Sequence, residues 1–153
     1  MTPRRSFTAL ALVVLLLVGA ALFARTTPGS AQPAARAAVA VGKSSFGPIL
    51  FDGRGFALYA FTSDRRARAT CYGACAKAWP PYIVRSRPAA GSGARAALLG
   101  VARRRDARLQ ATYAGHPLYY YRGDTKPGIV LCQNVQEYGG LWLVLRATGA
   151  LVR

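Results

Sequence analysis

A ten-residue string occurs twice in this chain and constrains the fold more than any other feature. Gly55-Phe-Ala-Leu58-Tyr59-Ala-Phe61-Thr-Ser-Asp64 matches Gly115-His-Pro-Leu118-Tyr119-Tyr-Tyr121-Arg-Gly-Asp124, and every matched position is offset by 60 residues. Both copies obey G-x-x-L-Y-x-[FY]-x-x-D. Strand-like sequence precedes each, Ile49-Leu50-Phe51 before Asp52-Gly53 and Leu109 to Tyr113 before Ala114-Gly115. A Trp inside an apolar stretch follows each Asp after 15 or 18 residues, as Trp79 and Trp142. A two-copy pattern of this kind predicts a duplicated β unit.

Elementary stereochemistry gives each copy a shape. Asp52-Gly53 predicts a tight turn, since Gly accepts positive φ and Asp caps the turn, and Ala114-Gly115 is a weaker form of the same break. Strand alternation places Tyr59 and Phe61 on one face and Leu58 and Ala60 on the other. Tyr119 and Tyr121 repeat that face. Asp64 and Asp124 fall where the strands end, where a carboxylate can accept backbone N–H groups of the next turn. On this reading the tyrosines are packing residues and the aspartates are turn caps. The sharper reading makes the two aspartates paired carboxylates, as in glycosidases. The two readings differ in whether the Tyr and Asp side chains converge on one cleft.

The repeat resembles a family of bacterial secreted repeats, predicted lipoproteins with a Y-x-[FWY]-x-x-D signature. Tyr59-x4-Asp64 and Tyr119-x4-Asp124 carry that signature here. Cys71-Tyr-Gly-Ala-Cys75-Ala-Lys-Ala-Trp79-Pro80-Pro81 is similar to the family's C-x-G-x-C-A-x-x-W-P-P segment, and Thr112 to Tyr119 to the opening of its second copy. The resemblance covers roughly residues 44–145. It implies no established biochemical activity. The chain departs from the family pattern twice. No lipid-bearing Cys follows the N-terminal apolar run, and Leu131-Cys132-Gln133-Asn134 replaces a Gly-rich stretch after the second Asp.

Three cysteines and one histidine bound the redox and metal chemistry. Outside the cytoplasm, Cys71 and Cys75 are expected to close a local disulfide, with Gly73 allowing the bend and Cys132 left over. The alternative is an extracytoplasmic copper-binding or thiol-redox accessory using the C-x3-C pair and His116, since thiolates and imidazole suit copper. The binuclear copper pattern also needs a His and a Met where Trp79 and Tyr82 stand. No other cofactor is implied.

The N-terminus supplies an address. Arg4 and Arg5 precede an uncharged run from Thr8 to Ala24, and Gly29 and Ala31 offer small residues for cleavage. Residues 1–31 therefore read as a secretory signal, with an uncleaved anchor as the alternative. The chain carries 21 Lys+Arg against 5 Asp+Glu, a net +16, which falls to +13 without Arg4, Arg5 and Arg25. The densest cluster is Arg103, Arg104, Arg105 and Arg108, at the expected tip of a hairpin between Leu98–Val101 and Leu109–Thr112. After export the available polyanions are lipid headgroups, wall polymers and anionic glycans, so envelope components or an anionic membrane surface are the expected partners and nucleic acid is not.

The resulting expectation is a small all-β antiparallel fold of two related hairpin units, at about 44–85 and 98–147. They would pack through Tyr59, Phe61, Trp79, Tyr119, Tyr121 and Trp142. Residues 32–43 read as a spacer and 86–97 as a linker, with a short turn of helix at 74–79. The function expected is an exported, non-enzymatic, envelope-associated module.

Overall fold

The computed structural model describes residues 38–153. The export segment expected at 1–31 lies outside them. Among the described residues, no helix is long and apolar enough to cross a membrane.

The architecture is all-β. In chain order the elements are β1 (Ala38–Gly42), β2 (Ile49–Asp52), β3 (Tyr59–Phe61), the short helix α1 (Ala74–Ala78), β4 (Ile83–Val84), β5 (Ala89–Ala90), a 3-10 turn (Ala96–Leu98), β6 (Leu99–Arg103), β7 (Leu109–Tyr113), β8 (His116–Pro117), β9 (Val135–Glu137) and β10 (Gly140–Val144). They form three small sheets in the orders β2-β1-β5, β3-β10-β9 and β4-β7-β6, with β8 added on β7.

Two stretches read as connectors are corrected. The end of the expected spacer is β1, paired antiparallel with β2 from Val39↔Asp52 to Gly42↔Ile49. The expected linker supplies β5, parallel to β1. Val39 is fully buried. Small residues make the join: a Cβ on Gly91 would meet the Ala40 Cβ at 2.9 Å. A low-complexity Ala-rich stretch thus gains its order from close backbone approach rather than from propensity.

The expected turns form. At the first, the Gly55 N–H donates to the Asp52 carbonyl at 2.9 Å. One oxygen of the Asp52 carboxylate also accepts the N–H groups of Arg54 and Phe56. At the second, Ala114 and Gly115 have φ of 50° and 85°, with Tyr113 paired to His116 across them. That is a two-residue hairpin whose positive φ values match strand twist.

The two units interlock. Tyr59 and Tyr119 face each other antiparallel and exchange both backbone hydrogen bonds at 2.9 Å. β3 of the first copy pairs with β10 of the second, with Trp142↔Phe61 and Val144↔Tyr59. The reciprocal pairing runs from the first copy's Trp segment to the second copy's Tyr strand, through Pro81↔Tyr119 and the Tyr120 N–H to the Pro80 carbonyl. Each Tyr strand therefore borrows its neighbour from the other copy, around an approximate two-fold at Tyr59 and Tyr119.

Alternation divides the core as expected. Tyr59, Phe61, Tyr119, Trp79 and Trp142 share one buried cluster. Leu58, Ala60, Leu118, Tyr82 and Leu145 share another.

Candidate functional site

The motif residues meet at the approximate two-fold. The Tyr59 hydroxyl donates to Asp124 Oδ2 at 2.7 Å, and the Tyr119 hydroxyl donates to Asp64 Oδ2 at 2.8 Å. Each tyrosine thus serves the aspartate of the other copy. The second oxygen of each aspartate holds its own turn. Asp124 Oδ1 accepts the Leu131 N–H at 3.0 Å, and Asp64 Oδ1 accepts the Thr70 N–H and hydroxyl at 2.7 and 2.8 Å. Burial pushes both carboxyls above the ordinary aspartate range, against the hydrogen bonds that draw them down. Burial also pushes the Tyr59 and Tyr119 phenols up, with the neighbouring carboxylates adding to it.

The two aspartates serve separate turns. Asp124 lines a cleft of about 240 Å³ with Arg54, Phe56, Tyr120 and Tyr121, and Asp64 is not part of it. Both oxygens of each aspartate accept hydrogen bonds from a turn or a tyrosine, the arrangement expected of turn caps.

Four rings form a column between the copies. Phe61 stacks on Trp142 at 4.2 Å, Trp142 on Trp79 at 4.0 Å and 3°, and Trp79 meets Tyr121 at 4.7 Å. Tyr59 and Tyr119 brace the two tryptophans edge-on at 5.3 and 5.2 Å. Such pairs contribute roughly 0.5–1.5 kcal/mol each beyond area burial. The Trp79 indole donates to Glu137 Oε2 at 2.9 Å, whereas the buried Trp142 indole N–H has no partner.

Cys71 and Cys75 form the expected disulfide. Cys132 is a half-buried free thiol. It lies against Tyr121, whose phenol is pushed up to about 12, chiefly by the hydrogen bond with Cys132. His116 sits beside the β7–β8 turn, where burial and then Arg66 push its imidazole below the ordinary value. The thiols that the copper reading needs are joined to each other. Among the described residues, no three of His, Cys, Asp and Glu gather as metal ligands would.

The arginine cluster is corrected in part. β6 and β7 form the expected hairpin, from Leu99↔Tyr113 to Arg103↔Leu109. Alternation turns Arg103 and Arg105 outward but Arg104 inward, where it is 3% exposed. Its Nη1 donates to Gln110 Oε1 at 2.6 Å and its Nη2 to the Cys71 carbonyl at 2.9 Å. Arg104 is therefore a tie between hairpin and disulfide loop, not a free surface cation. Arg108 is held by Asp106, with Nη2 2.6 Å from Oδ2.

The remaining cations border a cleft of about 410 Å³, lined by Arg68, Ala69, Thr70, Tyr72, Arg103, Arg104 and Arg105. Tyr72 is the residue the motif reading passed over. The disulfide loop presents it, and its ring lies under two guanidiniums, Arg104 at 4.2 Å and Arg105 at 4.9 Å. Its position between two cysteines was the available signal.

Fold and geometry together define a class, small all-β proteins made of two interlocked Tyr–Asp units. A family model described as a secreted repeat of unknown function matches residues 40–82 and 100–146, one segment for each unit. The chain belongs to that family of secreted repeats, and is an extracytoplasmic protein in that sense. Neither a curated protein nor a solved structure matches the chain.

Proposed function

We propose that this protein is an exported, non-catalytic module that attaches to polyanionic envelope material through its arginine surface. The observation that carries this reading is the disposition of charge. Every carboxylate in the chain is spent on an internal contact: Asp52 on its turn and Arg54, Asp64 and Asp124 on tyrosines, Asp106 on Arg108, and Glu137 on Trp79. Without Arg4, Arg5 and Arg25 of the expected export segment the basic residues still outnumber them 18 to 5, so the net charge is strongly positive. Such a field draws polyanions and weakens with salt over a Debye length of about 10 Å at 0.1 M. The saturated aspartates support the non-catalytic part, since neither oxygen pair is left to act on a substrate.

Flotation with anionic and neutral vesicles across a salt series tests the reading. Binding to anionic vesicles that falls as salt rises is expected. Equal binding at low and high salt, or equal binding to both vesicle types, would exclude an electrostatic attachment.

A further inference from the structure

The positive surface contains a built cleft as well as a diffuse charge. Arg103 and Arg105 reach it from the β6–β7 hairpin, Arg68 from the loop after β3, and Tyr72 from the disulfide loop. The wall is held in place before any ligand arrives. Arg104 ties the hairpin to the Cys71 carbonyl, the disulfide closes the loop, and the Arg105 N–H donates to the Tyr72 hydroxyl at 3.1 Å. That hydroxyl accepts this bond and keeps its own proton to donate.

No carboxylate lines the cleft. Of the two nearest in sequence, Asp106 is taken by Arg108 and Asp64 by Thr70 and Tyr119. Arg104, which forms part of the wall, is itself held from behind, its buried Nε ion-paired with Asp106 Oδ2 at 3.7 Å. A volume of about 410 Å³ falls within the range of small-ligand clefts.

A second cleft, of about 590 Å³, shares Thr70, Tyr72 and Arg105 with the first and adds Phe61, Tyr138 and both disulfide cysteines. Tyr138 is half exposed and holds φ 53° at the turn before Gly139. Tyr138 and Gly139 are the two central residues of the hairpin turn between Glu137 and Gly140, which takes positive φ at both positions and presents the Tyr138 ring outward. An aromatic shelf beside an arginine cleft suits a ligand with an anionic group and an attached carbon portion.

We propose that the arginine cleft seats a phosphate group, and that the adjoining aromatic cleft takes the polyol or glyceride portion attached to it. Guanidiniums offer the forked donors that phosphate oxygens accept. This assignment rests on the polyanion reading above and localises it.

The test uses protein recovered from the exported fraction and three probes: inorganic phosphate, glycerol phosphate and phosphatidylglycerol vesicles. The variant Arg103→Gln/Arg105→Gln changes exposed side chains and should keep the wild-type melting temperature. It is expected to weaken glycerol phosphate binding roughly tenfold or more. A charge-matched control, Arg85→Gln/Arg122→Gln, also alters exposed residues but none lining either cleft, and should weaken it far less. Tyr138→Ala should weaken glycerol phosphate but leave inorganic phosphate unchanged. Binding of glycerol phosphate in solution assigns a free polyol phosphate, and binding of vesicles alone assigns a lipid headgroup. Either supports the cleft if the two double variants differ. Wild-type binding that both double variants weaken equally overturns the cleft and leaves the diffuse surface standing. No wild-type binding to any probe overturns both.

Discussion

Tyr59 and Tyr119 occupy the same place in their copies, yet their hydroxyls do unequal work. Tyr59 donates to Asp124, which is buried, whereas Asp64, the partner of Tyr119, is partly open to water. Tyr59→Phe leaves a buried carboxylate oxygen without its donor and should cost about 2–3 kcal/mol, with Tyr119→Phe costing less. Urea unfolding of the two variants checks the order, and equal losses would contradict it. The pH dependence follows from the same aspartates. Their folded values stand above the ordinary one, so in the window between the two values the folded state binds more protons than the unfolded state. Stability from these groups therefore rises as pH falls through that window and is lost as pH rises through it. His116 works in the opposite sense, because its folded value is depressed and protonation at lower pH disfavours the folded state. A comparison of wild type with Asp124→Asn separates the two. The wild type should gain stability relative to the variant as pH drops from 7 toward the ordinary aspartate range, and a constant difference would refute the sign. The placement of the motif residues on one strand face was legible from alternation alone. The exchange of partners between copies was not, because the repeat pattern is identical whether a tyrosine bonds the aspartate of its own copy or the other.

At the scale of elements, the disulfide loop and the β6–β7 hairpin act as one piece. Cys71 and Cys75 flank Tyr72 and lead into α1, and Arg104 joins the Cys71 carbonyl to Gln110, which in turn donates to the Leu118 carbonyl at 2.8 Å. Closing so short a loop removes little chain entropy, about 2 kcal/mol on the loop-closure relation. Cys71→Ala/Cys75→Ala should therefore lower stability by about that amount and leave the fold intact, as judged by urea unfolding and by the near-ultraviolet circular dichroism of the stacked tryptophans. Loss of the folded state altogether would show that the loop does more than tether. The hairpin was readable from its two apolar flanks, and the inward turn of Arg104 follows from the same period of two that places Ala102 inside. Strands β1 and β5 left no such trace. Ala and Gly carry little patterning, and their order comes from the close approach of Gly91 and Gly93 to Ala40 and Val41.

Across the whole molecule, neither copy owns a complete sheet or a complete ring column. The first supplies Phe61 and Trp79 and the second Trp142 and Tyr121, interleaved so that each tryptophan stacks on the other copy's tryptophan and ring. A chain ending at Gly91 would keep Tyr59 without Asp124, and β3 without β10. It should be unfolded as a monomer, with any folding dependent on concentration through self-pairing in place of the missing half. Sedimentation together with thermal unfolding at several concentrations checks this, and cooperative, concentration-independent unfolding would refute it. By itself the sequence determined the β class, the two copies, the turns and the facing of each motif side chain, because these depend on local periodicity and on the φ preferences of Gly and Asp. Only the tertiary structure decided which copy each tyrosine serves, that the inward Arg104 ties the hairpin to the Cys71 carbonyl, and that Tyr72 completes an arginine cleft. Those outcomes depend on contacts between segments far apart in the chain, where packing and charge satisfaction select among arrangements that local patterning leaves equivalent.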